Sequence, residues 1–179
     1  MSNQCLVLNG VFHAGSKDDA IAADFVFDHA MNGRRLKMMT LIDECTKESL
    51  WIEVSGGISG YGVAQVLDRV CSVRGKPKMI LSDNGPEFTS KALLRWFLDN
   101  DVDHVFIEPG KPTQNAFCES FNGKFRDDCL NGNAFLNLDD ARSIVEKWRE
   151  YYNTVRPHSS IGYLTPTEYC EKLRAGLSS

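Results

Sequence analysis

The sequence predicts an α/β domain in which helices flank a five-stranded mixed sheet whose first three strands are antiparallel. Its 179 residues suit a single domain that can bury a substantial core. Three strand-like segments follow one another early in the chain, and the Asn32-Gly33 pair between the first two is typical of a hairpin turn. Later, helical and strand patterns alternate, which indicates crossover connections and helices on the faces of the sheet.

Short apolar runs between turn residues mark the three early strands. They cover residues 21–27, 36–42 and 49–54, and the polar residues 43–48 join the second strand to the third. The first run is apolar on both sides of Asp24, as expected for a strand covered on both faces. These segments predict an antiparallel meander.

Helical periodicity begins after Ser59, a residue type that commonly caps helices, and ends at Gly75 and Pro77. The apolar face of this helix has i, i+3, i+4, i+7 spacing and consists of Val63, Val66, Leu67 and Val70. The remaining elements are a strand at 78–82, a helix at 90–100, a strand at 103–107, a helix around Glu119, a long helix between Asn137 and Pro157, and a short helix from Pro166 to about Arg174. The long helix is expected to bury Ala141, Ile144, Val145, Trp148, Tyr152 and Val155.

Composition bears on location and on partners. Neither a secretion signal nor a run of apolar residues long enough to cross a bilayer is present in the sequence, so we expect a soluble, cytoplasmic protein without a membrane partner. The six cysteines form no C-x-x-C pair, which indicates neither a disulfide framework nor a zinc site. The net charge of −4 argues mildly against nucleic-acid binding, but two bound divalent ions would neutralise it.

Three carboxylates stand out by their positions. Asp24 interrupts an apolar strand, where a charge is costly unless it is paired or binds a cation. Asp83 ends the fourth strand, at the edge where sheets with crossovers place ligand sites. Each has an ordinary alternative: Asp24 could accept bonds from backbone amides, and Asp83 could bond the backbone of its own turn.

Glu119 lies on a helix and avoids the aromatic side of that helix. Phe117, Phe121 and Phe125 recur every four residues and should pack on the sheet, so Glu119 should face away from them. It belongs to a polar face with Asn115, Asn122 and Arg126, for which solvation is the ordinary explanation. The joint placement of Asp24, Asp83 and Glu119 favours a site, because two-metal phosphodiester chemistry needs hard oxygen ligands from separate elements.

Several longer motifs carry a family resemblance. They are the D…D-35-E spacing with Ser82-Asp83-Asn84-Gly85-Pro86-Glu87-Phe88, Glu108-Pro109-Gly110-Lys111-Pro112-Thr113-Gln114-Asn115-Ala116, Glu119-Ser120-Phe121-Asn122-Gly123, and Tyr152-Asn153-Thr154-Val155-Arg156-Pro157-His158-Ser159-Ser160. Together they closely resemble the integrase catalytic core of bacterial insertion-sequence transposases of the IS-three group, and more distantly retroviral integrases. The match runs from about Asp24 to Tyr169.

This resemblance implies a ribonuclease-H-like fold and a catalytic triad of Asp24, Asp83 and Glu119 that binds two Mg²⁺ or Mn²⁺ ions. The implied activity is that of a polynucleotidyl transferase, which cuts DNA ends and joins their 3′-hydroxyls to target DNA. Implied partners are transposon-end and target DNA, further copies of the chain, and a separate end-binding helix-turn-helix protein or region. The implied DNA contacts are Asn84, Lys111, Gln114, Asn115, Lys124 and Arg126.

The chain also departs from the family pattern. Ile21 replaces the usual tryptophan, and residues 1–19 look unlike the family, so we expect a divergent N-terminal segment at 1–19, the catalytic core at 20–175 and a tail at 176–179. Two other hypotheses stay open: a non-catalytic truncated or captured core that binds DNA or protein, and a nuclease of the same fold without strand transfer.

Overall fold

The computed structural model describes residues 7–8, 11–12, 20–107 and 116–176. Its main sheet has five strands, some paired antiparallel and some parallel. After a small pair, β1 (Val7–Leu8) and β2 (Val11–Phe12), its strands are β3 (Ala20–His29), β4 (Arg35–Asp43), β5 (Ser49–Ser55), β6 (Met79–Ser82) and β7 (Asp103–Phe106). Their order is β5-β4-β3-β6-β7; β3, β4 and β5 pair antiparallel, whereas β6 pairs in parallel with β3 and β7. The predicted mixed sheet with three leading antiparallel strands is confirmed.

Five α-helices flank this sheet in the described part of the chain. They are α1 (Gly60–Arg74), α2 (Lys91–Asn100), α3 (Ala116–Phe125), α4 (Leu138–Thr154) and α5 (Pro166–Gly176). The side chains of Ser59 and Asn137 accept hydrogen bonds from the first-turn amides of α1 and α4, as capping residues do. A π-helical turn, Arg126–Leu130, continues α3. None of the described helices is long and apolar enough to cross a membrane.

The sheet separates two apolar cores, because successive side chains of a strand point to opposite faces. One face, with Ala22 and Val26 of β3, packs on α3 and α4 and is named here the α3–α4 core. The other face, with Ile21 and Ala23, packs on α1 and α2 and is named the α1–α2 core. Burial on both sides explains why β3 reads as an apolar run rather than as an alternating pattern.

Two details of the predicted apolar faces need correction. Val155 was expected on the buried face of the long helix, but α4 ends at Thr154 and Val155 is 58% exposed. Phe121 and Phe125 are fully buried, whereas Phe117 is only partly buried at the margin of the α3–α4 core. A spacing of four residues drifts around a helix of 3.6 residues per turn, so the three rings cannot all lie on its centre line.

The cysteines also differ from expectation. Cys45 is disulfide-bonded, which the spacing of the cysteines did not indicate. Cys71, Cys118, Cys129 and Cys170 are free thiols, and the last three are buried. The division into segments 1–19, 20–175 and 176–179 stays a prediction, because most of the first segment and residues 177–179 lie outside the described residues.

Candidate active site

Asp24 lies in the middle of β3 and points to the face covered by α3. Its Oδ1 accepts a hydrogen bond from the amide of Phe25 at 2.7 Å, and its Oδ2 accepts one from the side chain of Asn122 at 2.8 Å. Burial raises the pKa of Asp24; these two hydrogen bonds oppose that rise, and the negative charges of Asp83 and Glu119 add to it. The three predicted carboxylates are therefore close enough to interact electrostatically.

Strand register places Asp83 next to Asp24. The parallel pairing of β3 with β6 joins Ala20 to Met79 and Ala22 to Leu81, and the same offset aligns Asp24 with Asp83, the first residue after β6. Neighbouring strands are about 4.8 Å apart, so the two carboxylates leave the sheet at adjacent positions. This parallel register is what brings residues so distant in sequence together.

The turn after β6 also uses the carboxylate of Asp83, as the ordinary explanation required. The amide of Gly85 donates to its Oδ1 at 2.9 Å. A Cβ atom added to Gly85 would lie 2.9 Å from that same oxygen, so a side chain at this position would displace the carboxylate. Turn formation and site formation are compatible, because this bond fixes the direction of Asp83.

Glu119 is exposed on the first turns of α3, while Phe121 and Phe125 of the same helix are buried. The prediction that Glu119 faces away from the aromatic side is confirmed. Asn122 follows one turn later, half-buried between Glu119 and the sheet. The glutamate and the residue that binds Asp24 therefore share one helix.

Asn122 and Thr40 are contributors to the site that the sequence did not assign. Thr40 stands opposite Asp24 on β4, is fully buried and donates to Oδ1 of Asn122 at 3.1 Å. That bond orients the amide so that its nitrogen faces Asp24. The available signal was the position of Asn122 on the polar face of the Glu119 helix, one turn after the glutamate.

Ser82 and His104 support the backbone of Asp83 from the other side of the sheet edge. The hydroxyl of Ser82 donates to the Asp83 carbonyl at 3.0 Å, and Nε2 of His104 lies 2.8 Å from that hydroxyl. The His104 ring is held between Phe97 and Phe106, with centroid distances of 4.1 and 4.2 Å. Burial lowers the pKa of His104 to about 4, so the ring is neutral at physiological pH.

The described residues contain no ready-made group of three His, Cys, Asp or Glu side chains spaced as metal ligands. The donor chemistry nevertheless suits a hard divalent cation, since Asp24, Asp83 and Glu119 supply only carboxylate oxygens. Burial is the main cause of the raised pKa of Asp24, and the negative charges of Asp83 and Glu119 add to the rise; a bound cation would relieve this repulsion. The residues present fit Mg²⁺ or Mn²⁺.

The predicted DNA contacts differ in their exposure to solvent, and some lie outside the described residues. Asn84 and Arg126 are exposed, and Lys124 is half-buried, with a pKa that burial and the nearby charge of Arg156 both lower. Lys111, Gln114 and Asn115 lie outside the described residues. Other basic residues bind carboxylates of the same chain: Lys37 pairs with Glu87, Arg69 with Glu53, and Arg74 with Glu48.

Comparison with known proteins identifies what this arrangement is similar to. Two models described as the integrase core domain match residues 16–112 and 100–166. The chain is 48% identical over 157 residues to an uncharacterised 39.2 kDa protein of insertion element IS476 from Xanthomonas euvesicatoria, covering 88% of this chain and 45% of that protein. It is 50% identical over 161 residues to an uncharacterised 31.7 kDa protein of IS407 from Burkholderia multivorans, covering 90% and 58%.

A more distant relative is the putative transposase InsK of IS150 from Escherichia coli, 25% identical over 165 residues, with coverage of 91% of this chain and 58% of that protein. The chain thus spans about half the length of these curated relatives.

Two solved structures show the same fold. The intasome of simian T-cell lymphotropic virus, in complex with PP2A regulatory subunit B56 gamma, superposes with a TM-score of 0.71 at 17% identity, covering 85% of this chain and 54% of that chain. The catalytic core domain of the integrase of HTLV-2 in complex with magnesium gives a TM-score of 0.64 at 18% identity, covering 85% and 95%. The expected ribonuclease-H-like fold is confirmed.

Proposed function

Because this chain belongs to the family of integrase core domains, we propose that it is the metal-dependent polynucleotidyl transferase core of an insertion-sequence transposase. The observation that carries the proposal is the shared register of Asp24 and Asp83 on parallel strands, together with the raised pKa of Asp24 beside Asp83 and Glu119. Similarity to the magnesium-bound integrase core and to the insertion-element proteins supports it.

In the proposed site, Asp24, Asp83 and Glu119 hold two Mg²⁺ or Mn²⁺ ions. Such ions lower the pKa of a bound water or hydroxyl and stabilise charge on the scissile phosphate. Asn122 keeps Asp24 turned towards α3, and Ser82 and Gly85 keep Asp83 at the sheet edge. These contacts fix the carboxylates before DNA arrives, which limits reorganisation during cleavage and strand transfer.

DNA is the proposed substrate and principal partner. The residues proposed to position DNA phosphates are close in sequence to Asp83 or Glu119. They are Asn84, Lys111, Gln114, Asn115, Lys124 and Arg126. Transposition joins both ends of an element to target DNA, so we propose a homo-oligomer acting in the bacterial cytoplasm. Recognition of the end sequence is assigned to a separate helix-turn-helix protein or region.

A metal-ligand substitution tests the activity. The chain and its Asp83→Asn variant are incubated with labelled duplexes that carry candidate transposon ends, in Mg²⁺ or Mn²⁺. We expect cleavage by the wild type and a loss of roughly a hundredfold or more in the variant, because a direct ligand should matter at least as much as a residue that supports one. Asp99→Asn, an exposed aspartate of α2 paired with Arg95, is the matched control and should cleave like the wild type.

The same experiment decides between the proposal and a non-catalytic DNA- or protein-binding core. Equal cleavage by the wild type and Asp83→Asn, or none by either at high enzyme concentration, would contradict catalysis by this chain.

A further inference from the structure

Lys37 of β4 is one of the basic residues that binds a carboxylate of its own chain. Its ammonium group is ion-paired with Glu87 and lies 3.9 Å from the ring centroid of Phe25 and 5.5 Å from that of Phe27. The Lys37 and Glu87 side chains are only 12% and 22% exposed. Lys37 is thus not a solvated cation available to a DNA phosphate, and its contacts lie within the protein.

Glu87 borders the same small space as Asp83. A Cβ atom built on Gly85 would lie 2.9 Å from Oδ1 of Asp83 and 3.4 Å from Oε2 of Glu87. The turn after β6 therefore presents two carboxylates side by side. One of them, Glu87, is bound by a lysine; the other is the proposed metal ligand.

The position of Lys37 is set by packing between the strands and the turn. Lys37 stands opposite Phe27 on the face of the sheet that carries Phe25, and the Phe25 ring contacts that of Phe88 with a centroid distance of 5.1 Å. Phe88 follows Glu87 directly and is 1% exposed. Burial opposes ionisation of Glu87, yet the hydrogen bond and charge of Lys37 leave its pKa below the usual value. Lys37 thus favours the charged form of Glu87 beside the site.

An unpaired carboxylate at that place would compete for a divalent ion. One additional negative charge about 6 Å from a divalent cation favours binding about tenfold, even with the dielectric constant of bulk water. Such binding would draw the ion towards Glu87 and away from the position shared by Asp24 and Asp83.

We propose that Lys37 is a positioning residue whose ammonium neutralises Glu87, so that Asp83 is the carboxylate of this turn that holds the divalent ion. The inference rests on the proposed function, because it concerns the same metal site. It adds a difference between two neighbouring carboxylates: Glu87 is neutralised by Lys37, whereas Asp83 is left to bind the ion.

Substitutions that replace a charged side chain by an uncharged one test the inference in the full chain. Lys37→Met keeps an apolar stem against Phe25 but removes the charge, Glu87→Gln removes the competing carboxylate, and a double variant combines both. Affinity for Mn²⁺ is measured from the electron paramagnetic resonance signal of the free ion, and turnover from oligonucleotide cleavage. Thermal melting shows that each variant is folded.

We expect Lys37→Met to bind Mn²⁺ about tenfold more tightly while its turnover falls about tenfold or more. Glu87→Gln should stay within about threefold of the wild type in both measurements, and the double variant should recover to that level. Lys37→Arg, which keeps the charge, should retain most activity. Arg69→Met is the matched control, because Arg69 also pairs with a glutamate and contacts an aromatic ring, but on α1.

The outcomes separate this inference from a purely structural ion pair. If the pair only braces the turn, Lys37→Met and Glu87→Gln will be equally impaired, Mn²⁺ will bind more weakly, and the double variant will not recover; any of these results overturns the inference. If the Mn²⁺ affinities change as expected while no variant cleaves DNA, the inference stands and the proposed activity of the isolated chain fails. A wild type that binds no Mn²⁺ overturns both.

Discussion

Among single residues, Asp43 shows what a buried carboxylate does outside the candidate site. It ends β4 and is 4% exposed, and its Oδ1 accepts hydrogen bonds from the amides of Cys45 and Thr46 at 2.8 and 2.7 Å. Burial raises its pKa from 3.8 to about 6, although these hydrogen bonds work in the opposite direction. Burial raises the pKa of Asp24 too, but at Asp24 the negative charges of two other carboxylates of the candidate site, Asp83 and Glu119, add to the rise.

Relative to the wild type, Asp43→Asn should gain unfolding free energy as the pH rises. The folded pKa of about 6 lies above the ordinary value of 3.8, so the contribution of Asp43 to stability is complete below about pH 4 and is lost as the pH rises through 6. Asparagine keeps the acceptor oxygen and never ionises. In urea unfolding, we expect the advantage of Asp43→Asn over the wild type to grow by roughly 1 kcal/mol between pH 5 and pH 7.5.

A difference between the two proteins that is the same at both pH values would show that Asp43 titrates normally in the folded state. Asp28→Asn serves as the comparison, since the Asp28 side chain bonds the amide of His29 in an exposed setting.

Among the elements, α3 is the one whose attachment completes the site. Asn122 joins this helix to β3 through Asp24 and to β4 through Thr40. The helix also brings Glu119, so one contact aligns a carboxylate of the helix with a carboxylate of the sheet. The fully buried Phe121 and Phe125 hold the same helix to the α3–α4 core from its other side.

Truncation of Asn122 should impair the chemistry more than the fold. Asn122→Ala removes the side-chain hydrogen bonds to Asp24 and Thr40, and supporting contacts to metal ligands are typically worth 10- to 100-fold in affinity or activity. We expect a loss of about that size in Mn²⁺ affinity and in cleavage, with a cost of about 1 kcal/mol in unfolding free energy.

The matched control is Asn131→Ala, at the residue directly after the π-helical turn, where the side-chain amide donates to Asp127 at 3.5 Å on the surface. Equal losses of activity in Asn122→Ala and Asn131→Ala would contradict a specific role for Asn122.

Prediction from sequence succeeded for features with local causes. The strands, the caps at Ser59 and Asn137 and the outward direction of Glu119 follow from periodicity and capping, which a few neighbouring residues determine. The π-helical turn after Phe125 was not predicted, because it has no comparable sequence signature. The bonds of Asn122 to Asp24 and of His104 to Ser82 depend on which elements become neighbours, and no local pattern contains that information.

For the whole molecule, the two cores draw on the chain unequally. Every residue of the α1–α2 core lies between Ile21 and Phe106, whereas the α3–α4 core combines the strands with residues from Phe117 to Tyr152. The residues after the 108–115 segment are therefore attached to the rest of the molecule largely through one apolar face of the sheet.

A chain cut once within residues 108–115 should remain assembled. A protease site placed there separates two pieces covalently, but the α3–α4 core still joins them by buried apolar surface. We expect both pieces to elute together in size-exclusion chromatography. Phe121→Ala, which should cost about 3 to 5 kcal/mol, is expected to release them. Separation of the pieces without that substitution would show that this core is too weak to hold them.

This division has a consequence for the order of events during translation. All of the α1–α2 core leaves the ribosome before Glu119 does, and folding during synthesis generally proceeds from the N-terminal side, at about 5–20 residues per second. One face of the sheet can be packed while the other is still uncovered. Asp24 then lacks its contact with α3, which is encoded almost a hundred codons later. Under the proposed function, a nascent chain would thus hold two of the three carboxylates in place for several seconds before the third emerges.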